Sequence, residues 1–446
     1  MTLRVHPDEI VRESTSSLLA IHPTWERVRL SDVADVLNGF AFRSAYFSNS
    51  EGVPLLRIRD VGRSQTEASY VGEFDPAYLV EAGSLVVGMD GDFRVARWTG
   101  PPALLNQRVC KISVRDDSLY DAGFLFYALP GYLDAINART SSVTVKHLSS
   151  RTVQEIPLPL PPLAERRRIV AAIEEHFSRL DAAIRSLQSG SRRLERLRGQ
   201  ILAASIDALD APRFPVADVA HLVTDGDHNP PARAPNGVPH LTAKNVKGGR
   251  LTLDGCTFVS EEGFEQTRRR YEPRSGDVIV TCVGTIGEVA VVPPGFQFSA
   301  DRNLAAIRPR PEVDASYLAL ALRTPRRKQA MRGASGSTAQ PHLYLRDLRA
   351  LEIPLPLIDE QRRIVAEVEQ QLSVVDAMAA EIDRALRRST ALRRSILERA
   401  FSGKLVPQDP SDEPASALLE RIRAERAAAE TATGRRRRRR ATMRAR

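Results

Sequence analysis

Two patterns of apolar positions alternate along the chain, and each occurs twice. From about Trp25 to Leu160, short apolar runs such as Val53-Pro-Leu-Leu-Arg-Ile58 and Leu85-Val-Val87 are broken by glycine, proline and polar turns. That punctuation predicts mixed strands with few helices. Phe214 to Leu357 reads the same way. Within it, Val278 to Val292 is interrupted by Gly284, Gly287 and Glu288; it is too short to span a bilayer and predicts two strands around a glycine turn. Elsewhere the period changes. Ile173, Leu180, Leu187, Leu194 and Ile201 lie seven apart, with Phe177 and Ile184 interleaved. Val368, Val375, Ile382 and Ile396 repeat the pattern, with Leu372, Ala379 and Leu386 between them, and only Ser191 and Ser389 interrupt the seam. Sustained heptads predict coiled-coil packing. Each helix, at about 40 residues, would span roughly 60 Å.

The two halves are copies. Ile156-Pro-Leu-Pro-Leu-Pro-Pro-Leu-Ala-Glu-Arg-Arg-Arg-Ile-Val170 recurs as Ile353-Pro-Leu-Pro-Leu-Ile-Asp-Glu-Gln-Arg-Arg-Ile-Val365. From Leu163 to Ser205 the copies align without a gap at an offset of 195, so that Glu165 matches Glu360, Asp181 matches Asp376 and Ile201 matches Ile396. The segments ahead of them share landmarks: Asp32-Val-Ala34 with Asp218-Val-Ala220, Val53-Pro-Leu-Leu56 with Val238-Pro-His-Leu241, and Ala82-Gly-Ser-Leu-Val-Val87 with Ser275-Gly-Asp-Val-Ile-Val280. They differ most in loops such as Asp90 to Arg97 and Asp225 to Asn236. A shared frame with different loops is expected when two domains read two different targets.

The chain therefore reads as an N-terminal extension (1–24), a globular domain (25–160), a spacer helix (161–206), a second globular domain (213–357), a second spacer helix (358–402) and a tail (403–446). The proline-rich stretches Ile156 to Pro162 and Ile353 to Pro356 are expected to stop the preceding strands and cannot be helix interior. A lone heptad stripe reads as a core-facing helix or a homodimer zipper. Two copies in one chain bury both seams most simply against each other, antiparallel, with the globular domains at opposite ends. The expected fold class is α+β: two similar mixed α/β domains separated by two long antiparallel coiled-coil helices, with pseudo-two-fold symmetry. Such an object suits the reading of two separated sites on a long molecule of matching symmetry, and DNA is the obvious candidate.

Composition changes this picture little. With 42% hydrophobic and 27% charged residues in 446, the chain is not globally disordered. The net charge is +9, but Arg435 to Arg440, Arg444 and Arg446 supply eight, leaving about +1 for everything before Gly434. The arginine run reads as a solvated tail, with non-specific phosphate contact as its functional alternative. Before it, Pro414 opens a short helix, Ala415 to about Glu430, with Leu418, Leu419 and Ile422 on one side. Cys110, Cys256 and Cys282 are far apart and form no Cys-x-x-Cys, indicating neither a disulfide framework nor a zinc site and fitting a reducing cytosol. The N-terminus carries no apolar core of signal-peptide length. Neither a membrane nor a secretory route is expected, and the localisation is cytoplasmic.

Catalytic motifs are missing. Asn229-Pro-Pro-Ala232 is like the Asn-Pro-Pro-aromatic motif of amino-methyltransferases, but its fourth residue is Ala232 and no glycine-rich S-adenosylmethionine loop precedes it, so it reads as a loop. None of the six lysines has a carboxylate two residues before it, as a metal-dependent nuclease would need. Gly403-Lys404 is not a P-loop, and no His-Glu-x-x-His exists. The chain is expected to be non-catalytic, with no cofactor or metal of its own.

Base reading favours arginine on guanine and asparagine or glutamine on adenine. The candidates are Arg57, Arg59, Arg63, Arg94 and Arg97 in the first domain, and His228, Lys244, Asn245, Lys247 and Arg250 in the second. Arg59 and Lys244 are equivalent at an offset of 185, which suggests a shared role in positioning phosphate. Arg268-Arg-Arg270 reads as a solvated turn. Arg166 to Arg168 and Arg362-Arg363 begin the spacer helices against the macrodipole, a cost that points to a bound acidic partner.

Taken together, these landmarks resemble the specificity subunit of type I restriction-modification systems over nearly the whole chain. The resemblance is carried by Ile156-Pro-Leu-Pro-Leu-Pro-Pro-Leu-Ala-Glu165, Ile353-Pro-Leu-Pro-Leu357 with Asp359-Glu-Gln-Arg-Arg363, Gly276-Asp-Val-Ile-Val-Thr-Cys-Val-Gly-Thr-Ile-Gly287, Asp225-Gly-Asp-His228, Ser395-Ile-Leu-Glu-Arg-Ala-Phe-Ser-Gly-Lys-Leu-Val-Pro407 and Asp412-Glu-Pro-Ala-Ser416. It implies two target-recognition domains, each reading one half of a bipartite sequence in double-stranded DNA. It implies helices that set the spacing and dock two methyltransferase subunits, with two translocase-nuclease subunits completing a restricting assembly. S-adenosylmethionine, ATP and Mg2+ would belong to those partners. The first domain departs from the signature: Gly91-Asp-Phe-Arg94 stands where the second has Gly284-Thr-Ile-Gly287. The rival readings are a coiled-coil scaffold and a self-contained methyltransferase or nuclease.

Overall fold

The computed structural model describes residues 6–140, 146–229, 231–334 and 341–428. The run Arg435–Arg440 and Pro230 of the Asn229-Pro-Pro-Ala232 loop lie outside the described residues. The chain divides into two compact units, one formed by the chain up to Ile184 together with Arg387 onward, the other by Arg185–Leu386. Both cuts fall inside the long helices, Leu163–Leu202 and Ile358–Phe401. A long helix has no core of its own, so each half belongs to whichever neighbours bury its apolar face.

In the first unit, Glu26–Arg29 pairs antiparallel with Pro157–Leu160. The proline-rich segment is thus a strand itself rather than the end of one. A two-stranded ladder leaves each strand a free edge, where the missing N–H of proline costs little. Leu158 and Leu160, alternating with the prolines, are fully buried. An antiparallel sheet follows in the order Ala34–Asn38, Val109–Val114, Leu85–Gly88, Val95–Arg97. A second sheet of short strands contains the parallel pair Val53–Leu56 and Ala103–Leu105. Helix Ala122–Arg139, capped by the Asp121 carboxylate, buries Phe124, Leu125, Leu129 and Leu133 in the main core. Leu418 and Ile422, from the helix over 415–428, join that core.

The second unit repeats the two-stranded ladder, the main sheet and the parallel pair, while its second sheet has four strands instead of five and stands beside a separate hairpin, Val246–Lys247 with Arg250–Leu251. Arg213–Pro215 pairs with Glu352–Pro354, and the main sheet runs Ala220–Asp225, Leu304–Pro309, Val278–Thr281, Val289–Val291. The parallel pair is Val238–Leu241 with Ser299–Ala300. Even single bridges recur: Phe40 with Asn106 and Asp227 with Asp301, both parallel, and Asp90 with His147 and Val283 with His342, both antiparallel. Tyr120 donates to the Pro159 carbonyl at 3.0 Å and Tyr317 to that of Pro354 at 2.7 Å.

The helices pair within each unit. In the first, Asp181 meets Arg393, whose guanidinium lies 4.7 Å over the Phe177 ring. In the second, Asp376 meets Arg198, and Ile382 packs against Gly190. Asp181 and Asp376 are equivalent in the repeat, as are Arg198 and Arg393. One pairing is therefore made twice with its helices exchanged, as an antiparallel pair of copies requires. Ile173, Val368, Val375 and Ile396 are buried, whereas Leu180, Leu187, Leu194, Ile201 and Ile382 are half-buried, because two helices alone cover only one stripe of each other. Among the described residues no helix is long and apolar enough to cross a membrane.

Candidate nucleic-acid interface

In each unit the parallel strand pair and the main sheet send their connections to one rim. In the first unit, Val53–Leu56 ends in a 3-10 turn, Ile58–Asp60, held by a reciprocal cap: the Asp60 carboxylate, fully buried, accepts from the Arg57 N–H at 3.0 Å. Beside it lie Phe40, whose N–H donates to the Leu105 carbonyl at 2.9 Å, and Asn106, whose N–H donates to Leu56 at 3.1 Å. The turn after Leu85–Gly88 joins them, since Met89 donates to the Arg108 carbonyl at 2.8 Å. In the second unit the turn Ala243–Asn245 follows Val238–Leu241 with the same cap, and the Thr242 N–H donates to Asn245 Oδ1 at 3.0 Å.

The candidate residues divide on this frame. Arg57, Arg59 and Arg63 converge on the Glu67 carboxylate at 3.5, 3.4 and 2.8 Å. Hydrogen bonding from Arg63 first, and then the charges of both exposed arginines, hold Glu67 below its ordinary pKa. Arg57 also lies 3.6 Å from the buried Asp60, so three cations meet two carboxylates and leave local positive charge. Arg94 is exposed and lines, with Arg59 and Asp90, a hollow of about 310 Å3. Arg97 is elsewhere. It stands opposite Leu85, at the far end of the hairpin from the loop, with its guanidinium 4.9 Å over the Phe126 ring.

In the second unit, His228 Nε2 lies 2.9 Å from Asp225, which also receives Arg270 Nε at 3.1 Å. Burial raises the Asp225 pKa, but Arg270 and His228 outweigh it and hold the carboxyl below its ordinary value. Lys244 is exposed on the turn, at the place of Arg59. Asn245 is only 1% exposed and is spent on the frame, accepting from Thr242 and donating to the Thr252 and Asp254 carbonyls at 3.1 and 3.2 Å. It is the counterpart of Asp60 and has no group left for a base. Lys247 and Arg250 are exposed and stand directly opposite each other across the two-residue turn Gly248-Gly249, both at positive φ. Opposed like charges destabilise a hairpin unless an anion offsets them.

Four of the cations at the helix starts find partners inside the chain. Arg168 pairs with Asp412 at 2.6 Å, Arg363 with Glu360 and Glu367, and Arg362 with Asp359 at 3.4 Å. Arg166 is fully buried, donating to the Leu119 carbonyl at 3.0 Å beneath the Tyr120 ring. Intrachain acids thus meet Arg168, Arg362 and Arg363, whereas Arg166 rests on a carbonyl and a ring. Arg268 pairs locally, with Glu265 and Glu272 at 2.6 Å, while Arg270 reaches across to Asp225.

Sequence reasoning missed the turns Asn106-Gln-Arg108 and Asp301-Arg-Asn303, equivalent at the offset of 195 and lying on each rim. Gln107, Arg108 and Arg302 are exposed. The available signal was the repeat itself, a polar triplet before the apolar strands that begin at Val109 and Leu304. Among the described residues neither rim brings an exposed nucleophile to an activating base. Burial pushes the Cys110 and Cys282 thiols up to about 12, and among the described residues no cluster of His, Cys, Asp and Glu could hold a metal ion.

A family model described as the type I restriction modification DNA specificity domain matches twice, over residues 23–187 and 217–385. The chain is 36% identical to the specificity subunit of the type I restriction enzyme EcoBI of Escherichia coli, covering 94% of this chain and 96% of that one. It is 22% identical to the EcoKI specificity subunit of Escherichia coli strain K12, covering 91% and 96%. A chain from a solved structure described as the structural basis of complex assembly and conformational transition of the type I R-M system matches its fold with a TM-score of 0.62 at 22% identity, covering 86% of this chain and 100% of that one. Two matched domains on a duplicated frame, with full-length likeness to a named specificity subunit, place this chain in the family of non-catalytic DNA-specificity subunits of type I restriction-modification systems.

Proposed function

We propose that each rim reads one half of a bipartite target in double-stranded DNA and that the paired helices set the distance between the halves. The observation that carries this reading is the identity of the two frames combined with the difference of their rims. The buried caps Asp60 and Asn245 hold equivalent turns, while the exposed groups differ, with Arg59 and Arg63 on one and Lys244, Lys247 and Arg250 on the other. Arginine and lysine so placed supply phosphate contacts and guanine reading. The second spacer helix leaves Val374, Met378 and Leu392 more than half exposed, apolar surface suited to docking a methyltransferase subunit. Of these only Leu392 has a large apolar counterpart on the first helix, the exposed Leu197; two methyltransferase copies and restriction subunits complete the assembly. S-adenosylmethionine, ATP and Mg2+ act in those partners. The assembly works on cytoplasmic DNA.

Base-resolution methylation mapping of cells with and without this chain, beside its methyltransferase partner, tests the reading. A bipartite motif with a fixed gap that disappears without the chain is the expected result. A motif that persists overturns it. Deleting seven residues from each helix is expected to change the gap and leave both half-sites intact, and the opposite outcome sinks the ruler.

A further inference from the structure

Arg108 combines three features that its structural counterpart lacks. Its backbone is left-handed, with φ of 73°, whereas Asn303 in the second unit is not left-handed although asparagine tolerates that region better. Its side chain is 56% exposed, so burial does not repay the strain. Its guanidinium is held at one corner by Asp90: Nη1 donates to Asp90 Oδ1 at 3.4 Å, and His147 Nδ1 fixes that same oxygen by donating to it at 2.7 Å. Among the described residues, Nε and Nη2 have no partner.

Asp90 and His147 are fixed in turn by the backbone. Their bridge joins the loop after Leu85–Gly88 to the segment before Leu148, and Gly91 donates to the Lys146 carbonyl at 3.0 Å. Asp90 is only 18% exposed, so it supports the arginine from below and leaves the rest of the fork facing outward. A strained residue at an exposed position, with a buttressed side chain and free donors, is strain retained for a purpose other than packing. The free edge of an arginine fork matches the O6 and N7 acceptors of guanine.

We propose that Arg108 is the guanine-reading residue of the first domain, positioned by Asp90 and His147. The assignment rests on the rim being the DNA interface. The test maps methylation by the full chain with its methyltransferase partner for Arg108→Ala, Arg108→Lys and Arg108→Gly. Glycine adopts the left-handed conformation freely, so Arg108→Gly is expected to melt no lower than wild type. All three are expected to lose tenfold or more of the preference for one guanine, in one half-site only, with the other half and the gap unchanged. An unchanged motif overturns the proposal. So does uniform weakening on all sequences with a shallower salt dependence, which marks a phosphate contact. Failure of the underlying reading looks different: wild type itself then shows no bipartite motif that depends on this chain.

Discussion

The loop at the end of the central hairpin is built differently in the two units. In the second unit it runs from Thr281 to Glu288, whose carbonyl accepts from the Thr281 N–H at 2.9 Å; Ile286 packs inward and Gly287 takes φ of 83°. In the first it runs from Gly88 to Arg94, one residue shorter, closed by the bond from Gly88 to the Arg94 carbonyl at 2.9 Å. There Phe93 does both tasks: it is 1% exposed in the core and sits at φ of 48°. Loss of the glycine leaves the need for a left-handed residue, which passes to the neighbour already anchored by packing. A turn is set by its flanking strands, and its residues share out the work.

Four measurements sharpen or break this comparison. Phe93→Ala is expected to cost about 3–5 kcal/mol, the ordinary penalty for an emptied aromatic site, whereas Gly287→Ala should cost only about 1–2 kcal/mol through its backbone, with Met331 Cε 3.1 Å from the new methyl adding a contact that must give. Chemical denaturation checks both, and equal costs would mean the tasks are not divided as described. Next, Asn245→Ala should lose about 1–3 kcal/mol, because it orphans buried backbone groups. Asn245→Asp, imitating Asp60, should restore the bond to the Thr242 N–H and not those to Thr252 and Asp254. A variant of normal stability with altered base preference would instead make Asn245 a reader.

Acid should separate the units more gently. Asp301 is largely buried, and burial raises its pKa, but His240, the Asn303 N–H and Arg233 outweigh that and hold it below the ordinary value. Asp225 is held low in the same sense. A carboxylate with a depressed folded pKa stabilises fully above the unfolded pKa of about 4 and loses that contribution as pH falls through the folded value. The matching position in the first unit is Asn106, which does not titrate, and Glu67 is too exposed to matter much. Melting of wild type and Asp301→Asn below about pH 4 is expected to show a shallower acid loss in the variant; identical slopes would remove Asp301 from the account. The smallest effect belongs to the repeated helix pair. Double-mutant cycles on Asp181 with Arg393 and on Asp376 with Arg198 should each return about 0.2–1 kcal/mol, and a difference above about 1 kcal/mol between them would break the symmetry.

The amino-acid sequence by itself determined the duplication, the two long helices, the glycine turn between Val278–Thr281 and Val289–Val291 and the family, because periods, repeats and punctuation are local and survive without knowledge of contacts. It also made Arg59 and Lys244 equivalent, since both follow the same strand by the same number of residues. Tertiary structure alone decided which polar residues are free. Asn245 looked like an adenine reader and is a buried cap; Arg97 looked like a neighbour of Arg94 and covers Phe126 instead. It turned the proline-rich segments into strands, and it supplied for Arg168 an acid that lies 244 residues away. It brought Arg108, Asp90 and His147 together from three separate segments. Burial and hydrogen-bond partners depend on which strands pair and in what register, and that is a property of contacts between distant residues rather than of any local pattern.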